Sequence, residues 1–183
     1  MAVSEMIRRM QASGDIYRGS YSGYYCVGCE AFKRDDELVK EEGAAPRCPI
    51  HPTREVTWTE EENWFFRLSD YQDRLLKLLE QRPDFIQPDA RLNEIRKVIE
   101  GGLEDISVSR SRLPWGIPWP GDENHTVYVW LDALTNYLSA IGFPDERYRE
   151  RWPAAFHVIG KDITRFHCIY WPAFLMSAGI ELP

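Results

Sequence analysis

The chain has 183 residues, 44% hydrophobic and 28% charged, which is enough apolar material for one large or two small folded domains. A formal net charge of −7 excludes a protein that grips nucleic acid mainly through a basic field, although a local patch could still touch RNA. No run of about 18 apolar residues exists, so no membrane span and no membrane partner are expected.

In chain order, Met6, Ile7 and Met10 share one face of a short helix that ends at Ser13-Gly14, where glycine supplies the left-handed cap. The first sixteen residues are amphipathic and carry no secretory apolar core. Short strands follow at 16–17, 23–26, 54–58 and 64–68, broken by Gly, Pro and acidic turns, as in a small β-rich insertion. Ser69-Asp70-Tyr71-Gln72 has the spacing of a capping box and opens a helix with Tyr71, Leu75, Leu78 and Leu79 on one face, stopped near Pro83. Leu92, Ile95, Val98 and Ile99 mark the next helix, closed by Gly101-Gly102. From about Ser107 the chain alternates: a strand at 126–131, a helix at 132–141, a strand at 156–159 and a helix at 163–178. That alternation indicates a parallel α/β architecture.

Four cysteines, two of them three positions apart, suggest metal rather than disulfides and a reducing, cytoplasmic compartment. Cys26 and Cys29 form one short pair, Cys48 and His51 another, with eighteen residues between. Three thiolates and an imidazole fill a tetrahedral shell and leave no open position, the signature of one structural Zn2+ per chain. The competing reading is two unrelated pairs, since a buried thiol is an ordinary small hydrophobe. Cys168 reads as core.

Three blocks carry a resemblance. They are Tyr25-Cys26-Val27-Gly28-Cys29-Glu30 with Cys48-Pro49-Ile50-His51, then Val127-Tyr128-Val129-Trp130-Leu131-Asp132-Ala133-Leu134-Thr135-Asn136-Tyr137, then His157-Val158-Ile159-Gly160-Lys161-Asp162-Ile163-Thr164-Arg165-Phe166-His167. In that order they resemble the zinc knuckle, the amino-acid pocket and the late catalytic segment of class I methionyl-tRNA synthetases, and the likeness covers nearly the whole chain. It implies a helix of the catalytic side at 1–14, a zinc-binding connective insertion at 15–68, linking helices at 69–106, and the second half of a Rossmann-type parallel sheet at 107–183. The complete enzyme would activate methionine with ATP and Mg2+ and pass it to tRNA(Met), without DNA.

By the same resemblance Trp130, Ala133, Leu134, Tyr137, Phe166 and His167 line the methionine pocket. Many relatives have Pro at the position of Leu134. A thioether is polarizable and sits well against aromatic rings. Periodicity alone makes Trp130 and Tyr137 ordinary packing residues, and Asp162 before an apolar run has the pattern of a helix N-cap. The resemblance assigns Gly160 and Asp162 to the adenylate ribose. It assigns Arg110, in Ile106-Ser107-Val108-Ser109-Arg110, to the ATP phosphates, whose oxygens suit a guanidinium fork, with Arg112 as an alternative.

The His-Ile-Gly-His-type and Lys-Met-Ser-Lys-Ser-type phosphate-binding strings of class I synthetases occur nowhere in the chain. The chain alone is therefore expected to be inactive, with no catalytic residue assigned within it. A zinc-stabilised module that binds methionine or tRNA without catalysis is the alternative. A synthetase for isoleucine, valine or leucine would need a much larger editing insertion.

Overall fold

The computed structural model describes residues 1–29, 31–33, 37–40, 44–111 and 115–183. Its elements are α1 (Ala2–Ala12), β1 (Ile16–Cys26), β2 (Ala31–Lys33), β3 (Val56–Phe66), α2 (Gln72–Gln81), α3 (Asp89–Glu100), β4 (Ile106–Ser107), β5 (Ser109–Arg110), β6 (Pro118–Trp119), β7 (Asp122–Val127), α4 (Val129–Ser139) and α5 (Trp171–Ser177). The class is mixed α/β. One sheet has the order β2-β1-β3-β4 and a second the order β5-β7-β6. By contacts the chain forms two compact units, Met1–Arg18 with Trp64–Pro183, and Gly19–Asn63.

The larger unit holds the apolar core. Helix α1 buries Met6, Ile7 and Met10 completely, the i, i+1, i+4 stripe of an amphipathic helix. It stops at Ser13, after which Gly14 takes φ 83°. Asp15 then ties three elements together, because its Oδ2 accepts from Tyr71 Oη (2.5 Å), Ser177 Oγ (2.6 Å) and Ser13 Oγ (2.8 Å). Burial raises the Asp15 pKa, but the hydroxyl donors outweigh it and hold the carboxyl below its ordinary value. Burial and the same carboxylate push Tyr71 up to about 12.

Four local expectations change. The strands at 16–26 and 56–66 run unbroken through the turns expected within them. On β3, Thr59, Glu61 and Asn63 are buried while Glu60 and Glu62 are exposed, the period-two alternation of a strand. The capping box does not form. A 3-10 turn (Leu68–Tyr71) precedes α2 instead, Ser69 Oγ donates to Asp105 Oδ1 (2.6 Å), and Gln72 Oε1 accepts from the Leu103 amide (2.9 Å). A capping box would use the Ser69 oxygen as an acceptor for an amide; here the hydroxyl is a donor, to the Asp105 carboxyl group.

The strand-to-helix boundary expected at 131–132 lies at Tyr128, which has extended ψ (134°) and starts α4. Trp130 therefore stands in the first turn of a helix. Residues 156–159 form no strand, and Phe156 and Val158 are 87% and 97% exposed; no strand of the described residues pairs with them. The pairings of β1 with β2, β3 with β4, and β7 with β5 and β6 are all antiparallel.

The smaller unit is built on a hairpin. Tyr24 pairs with Lys33 and Cys26 with Ala31, so the turn holding Cys29 closes directly beyond Cys26. A bridge between Val39 and Arg47 brings the chain back immediately before Cys48. Tyr24 meets Trp58 edge to face at 5.0 Å.

Candidate functional site

The four metal-type residues converge as their spacing suggests. The donor atoms of Cys26, Cys29, Cys48 and His51 all lie within 4.8 Å of one another. Cys29 Sγ is 3.2 Å from His51 Nδ1 and 3.6 Å from Cys48 Sγ, and Cys26 Sγ is 4.0 Å from His51 Nδ1. A tetrahedron with Zn–S of about 2.3 Å and Zn–N of about 2.0–2.1 Å has edges of about 3.8 Å (S to S) and about 3.6 Å (S to N), so the donor set fits zinc. Burial would raise the Cys48 thiol, yet the amides of His51 and Ile50 and the neighbouring thiols bring it down to about 6. Burial and the Cys48 and Cys26 thiols push Cys29 the other way.

Gly28 was not foreseen as part of this arrangement. A Cβ there would lie 2.6 Å from His51 Cγ and 2.9 Å from Nδ1, so the imidazole rests on bare backbone. The glycine between the two thiols was the available signal.

In the larger unit, α4 and the helical stretch from Lys161 to Ser177 bring the methionine candidates together in two pairs. Trp130 and Phe166 stack at 3.7 Å with planes 9° apart. Tyr137 lies seven residues after Trp130 on the same side of α4, and its Oη is 2.7 Å from His167 Nε2. The intervening turn inserts a π-helical segment at Phe166–Tyr170, a form frequent at functional sites. There the Trp171 amide reaches Phe166 O, while Ile163 O is 3.0 Å from His167 Nδ1. A carbonyl oxygen can only accept, so Nδ1 carries the proton and Nε2 receives the Tyr137 hydroxyl hydrogen. Ala133 is half-buried, and Leu134, 1% exposed, belongs to the core.

His157, outside the expected set, packs its ring 4.4 Å from that of Tyr137 and 6.0 Å from that of Trp152. Burial and the nearby His167 lower its pKa.

The adenylate candidates are less tightly gathered. Gly160 and Asp162 are exposed at the start of the helical stretch, with Asp162 inside a 3-10 turn (Lys161–Ile163). No side chain caps that turn, so the capping reading of Asp162 is not met; Thr164 Oγ1 bonds Lys161 O at 2.7 Å instead. Arg110 lays its guanidinium 3.9 Å above the Tyr128 ring and donates to Ser109 O (2.7 Å) and Ser107 Oγ (3.2 Å). Arg112 lies outside the described residues.

Strand β7, which leads into α4, is anchored by a half-buried acid. Asp122 Oδ2 accepts from Trp64 Nε1 (3.0 Å) and lies 2.8 Å from His125 Nδ1, and Oδ1 accepts from the Asn124 amide (3.1 Å). Burial raises the Asp122 pKa, but these donors outweigh it and leave it lowered.

The sequence model of tRNA synthetases class I (M) matches residues 36–183. The methionine–tRNA ligase of Thermotoga maritima is 52% identical over 185 residues, covering 99% of this chain and 29% of that protein. The same ligase of Mycobacterium tuberculosis is also 52% identical, covering 100% of this chain and 35% of its own length. A crystal structure of the M. tuberculosis methionyl-tRNA synthetase bound by methionyl-adenylate superposes with a TM-score of 0.87 at 52% identity, over 100% of this chain and 36% of that one. Its free form gives 0.88 at 51% identity. The chain thus spans about a third of the length of the relatives it matches. Since the family match extends over well more than half of the residues, the chain belongs to the tRNA synthetases class I (M), the methionyl-tRNA synthetases.

Proposed function

We propose that this chain contributes the methionine-recognising half of the active site of a methionine–tRNA ligase. The complete enzyme condenses methionine with ATP to methionyl-adenylate, releasing pyrophosphate, and transfers the methionyl group to tRNA(Met) in the cytoplasm. Residues 15–68 are the zinc-binding connective insertion, 69–106 the linking helices, and 107–183 the second half of the nucleotide fold, joined by the helix at 1–14. The observation that carries the reading is the pairing of Trp130 with Phe166 and of Tyr137 with His167, which joins α4 to the later helical stretch through two pairs of rings. Aromatic rings suit an uncharged, polarizable side chain. The M. tuberculosis methionyl-tRNA synthetase structure bound by methionyl-adenylate aligns over the whole chain, which supports the same reading.

The chemistry needs no enzyme nucleophile; positioning of the two substrates carries much of the rate. Asp162 and Gly160 take the ribose and Arg110 the phosphates, the arginine leaving its cation–π contact with Tyr128 to do so. The ATP is bound with Mg2+. Cys26, Cys29, Cys48 and His51 hold one Zn2+, which closes the fold of the insertion and stays out of the reaction.

The test is ATP–pyrophosphate exchange by the full-length gene product against each of the twenty amino acids. Methionine is expected to support exchange far above the others. Exchange with another amino acid in preference to methionine would overturn the assignment.

A further inference from the structure

Arg110 and Tyr128 meet because of the register between β5 and β7. Arg110 stands opposite Thr126, and Tyr128 lies two positions on, so the two side chains are diagonal neighbours on one face. The Tyr128 amide bonds Val108 O at 2.9 Å, which keeps the strand spacing up to the start of α4. The guanidinium lies 3.9 Å above the ring, and its Nη1 donates to Ser109 O (2.7 Å) and Ser107 Oγ (3.2 Å). Both Nη1 hydrogens are thus engaged by groups one and three residues back in the chain. An end-on fork of Nη1 and Nη2 closes on a phosphate only once they are given up. Arg110 and Tyr128 are both half-buried, and partial removal from water strengthens the attraction of a cation to a ring face.

We propose that Tyr128 is a positioning residue for ATP: its ring, together with Ser107 and Ser109, holds Arg110 in a resting place from which the nucleotide must draw the guanidinium to its phosphates. The inference rests on the assignment of Arg110 to the phosphates made above. When the binding-competent arrangement is only a fraction of the free protein, apparent affinity falls by that fraction. The ring therefore raises the ATP concentration that the site requires. It releases the cation to a ligand whose phosphates outweigh three local contacts, and a weaker anion leaves the cation where it is. Leucine at position 128 keeps apolar bulk and removes the face that attracts the cation. Phenylalanine keeps the face and loses only the hydroxyl.

The test measures ATP KM and methionine KM in ATP–pyrophosphate exchange by the complete synthetase, as wild type, Tyr128→Leu, Tyr128→Phe and Arg110→Ala, each with a thermal melt. Tyr128→Leu is expected to lower ATP KM roughly two- to fivefold, the scale of one partly exposed cation–π contact, with methionine KM unmoved. Tyr128→Phe should stay with wild type. A folded Tyr128→Leu enzyme whose ATP KM is unchanged or raised would overturn the proposal, and so would a Tyr128→Phe enzyme that shifts as far as the leucine variant. Should Tyr128→Leu not fold, the side-chain N–H resonance of Arg110 in the wild type decides, assigned by its loss in Arg110→Lys. A proton above a ring face is shifted upfield, so ATP must move this resonance downfield; a resonance that stays in place at saturating ATP would refute the displacement. Arg110→Ala that leaves ATP KM and kcat untouched would instead defeat the phosphate assignment on which the proposal stands.

Discussion

Gly28→Ala should cripple the metal site without touching a ligand. The added Cβ would sit 2.6 Å from Cγ and 2.9 Å from both Nδ1 and Cδ2 of His51. Ordinary carbon contacts begin near 3.4 Å or more, so the imidazole must retreat by about 0.8 Å or the hairpin turn must open by as much. Metal–ligand distances tolerate only about 0.2 Å. The ring faces this limit while one of its neighbours, Cys29 Sγ, is already 3.2 Å from Nδ1. A misplaced ligand should weaken zinc at least as much as losing an outer-shell support, about 10- to 100-fold in affinity.

The assay is competition for zinc with a chromophoric chelator at fixed pH, run alongside Val27→Ala, whose side chain is 54% exposed and should be silent. Backbone strain is not the mechanism, because Gly28 does not have positive φ. Gly28→Ala protein that holds zinc as tightly as wild type, and melts with it, would refute the argument from close approach.

Cys29→Ser should release zinc and melt the unit Gly19–Asn63 before the larger one; elemental analysis finding no zinc in fresh, unchelated wild-type protein would contradict this. Tyr137→Phe should leave the buried His167 Nε2 without its donor, costing about 1–3 kcal/mol, or roughly 2–12 °C in Tm for a chain of this size; an unchanged melt would count against the hydrogen bond. Asp15 and Asp122 have folded pKa values below the unfolded ones, so their contribution is full above about pH 5 and disappears as pH falls through the acid range. Asp122→Asn should therefore flatten the acid limb of stability against pH, and an unaltered slope would sink that assignment. The 183-residue chain by itself should give little or no methionine-dependent pyrophosphate exchange. Losing one oxyanion-type donor costs about 100- to 1000-fold, and both phosphate-binding strings are lacking from its sequence. Exchange at an ordinary synthetase rate, free of host enzyme, would contradict it.

The metal cluster was legible because short Cys/His spacings constrain the backbone directly, and the helices were legible because their apolar stripes repeat at helical period. What sequence missed depends on partners distant in the chain. Ser69 and Gln72 have the right separation for a capping box, yet Asp105 and Leu103, over thirty residues away, claim them. Trp130 follows an apolar, β-prone run, but the Tyr128 amide bonds Val108 O and its carbonyl accepts the Leu131 amide, so the helix begins early. The run 156–159 has strand chemistry, and strand pairing is a property of two segments, one of which the described residues do not supply. His157 was read as part of a strand, and its place beside Tyr137 follows from a fold that brings α4 against a residue twenty positions later.

The central claim is that Trp130 and His167 serve the amino acid rather than the nucleotide. It is tested most directly by steady-state exchange kinetics of Trp130→Ala and His167→Ala in the complete enzyme, after both are shown to melt near wild type. The account predicts a methionine KM raised far more than the ATP KM, with the larger effect at Trp130, whose emptied ring wall is worth about 3–5 kcal/mol, and a smaller one at His167, about 1–3 kcal/mol. Folded variants with an unchanged methionine KM and impaired use of ATP would contradict it.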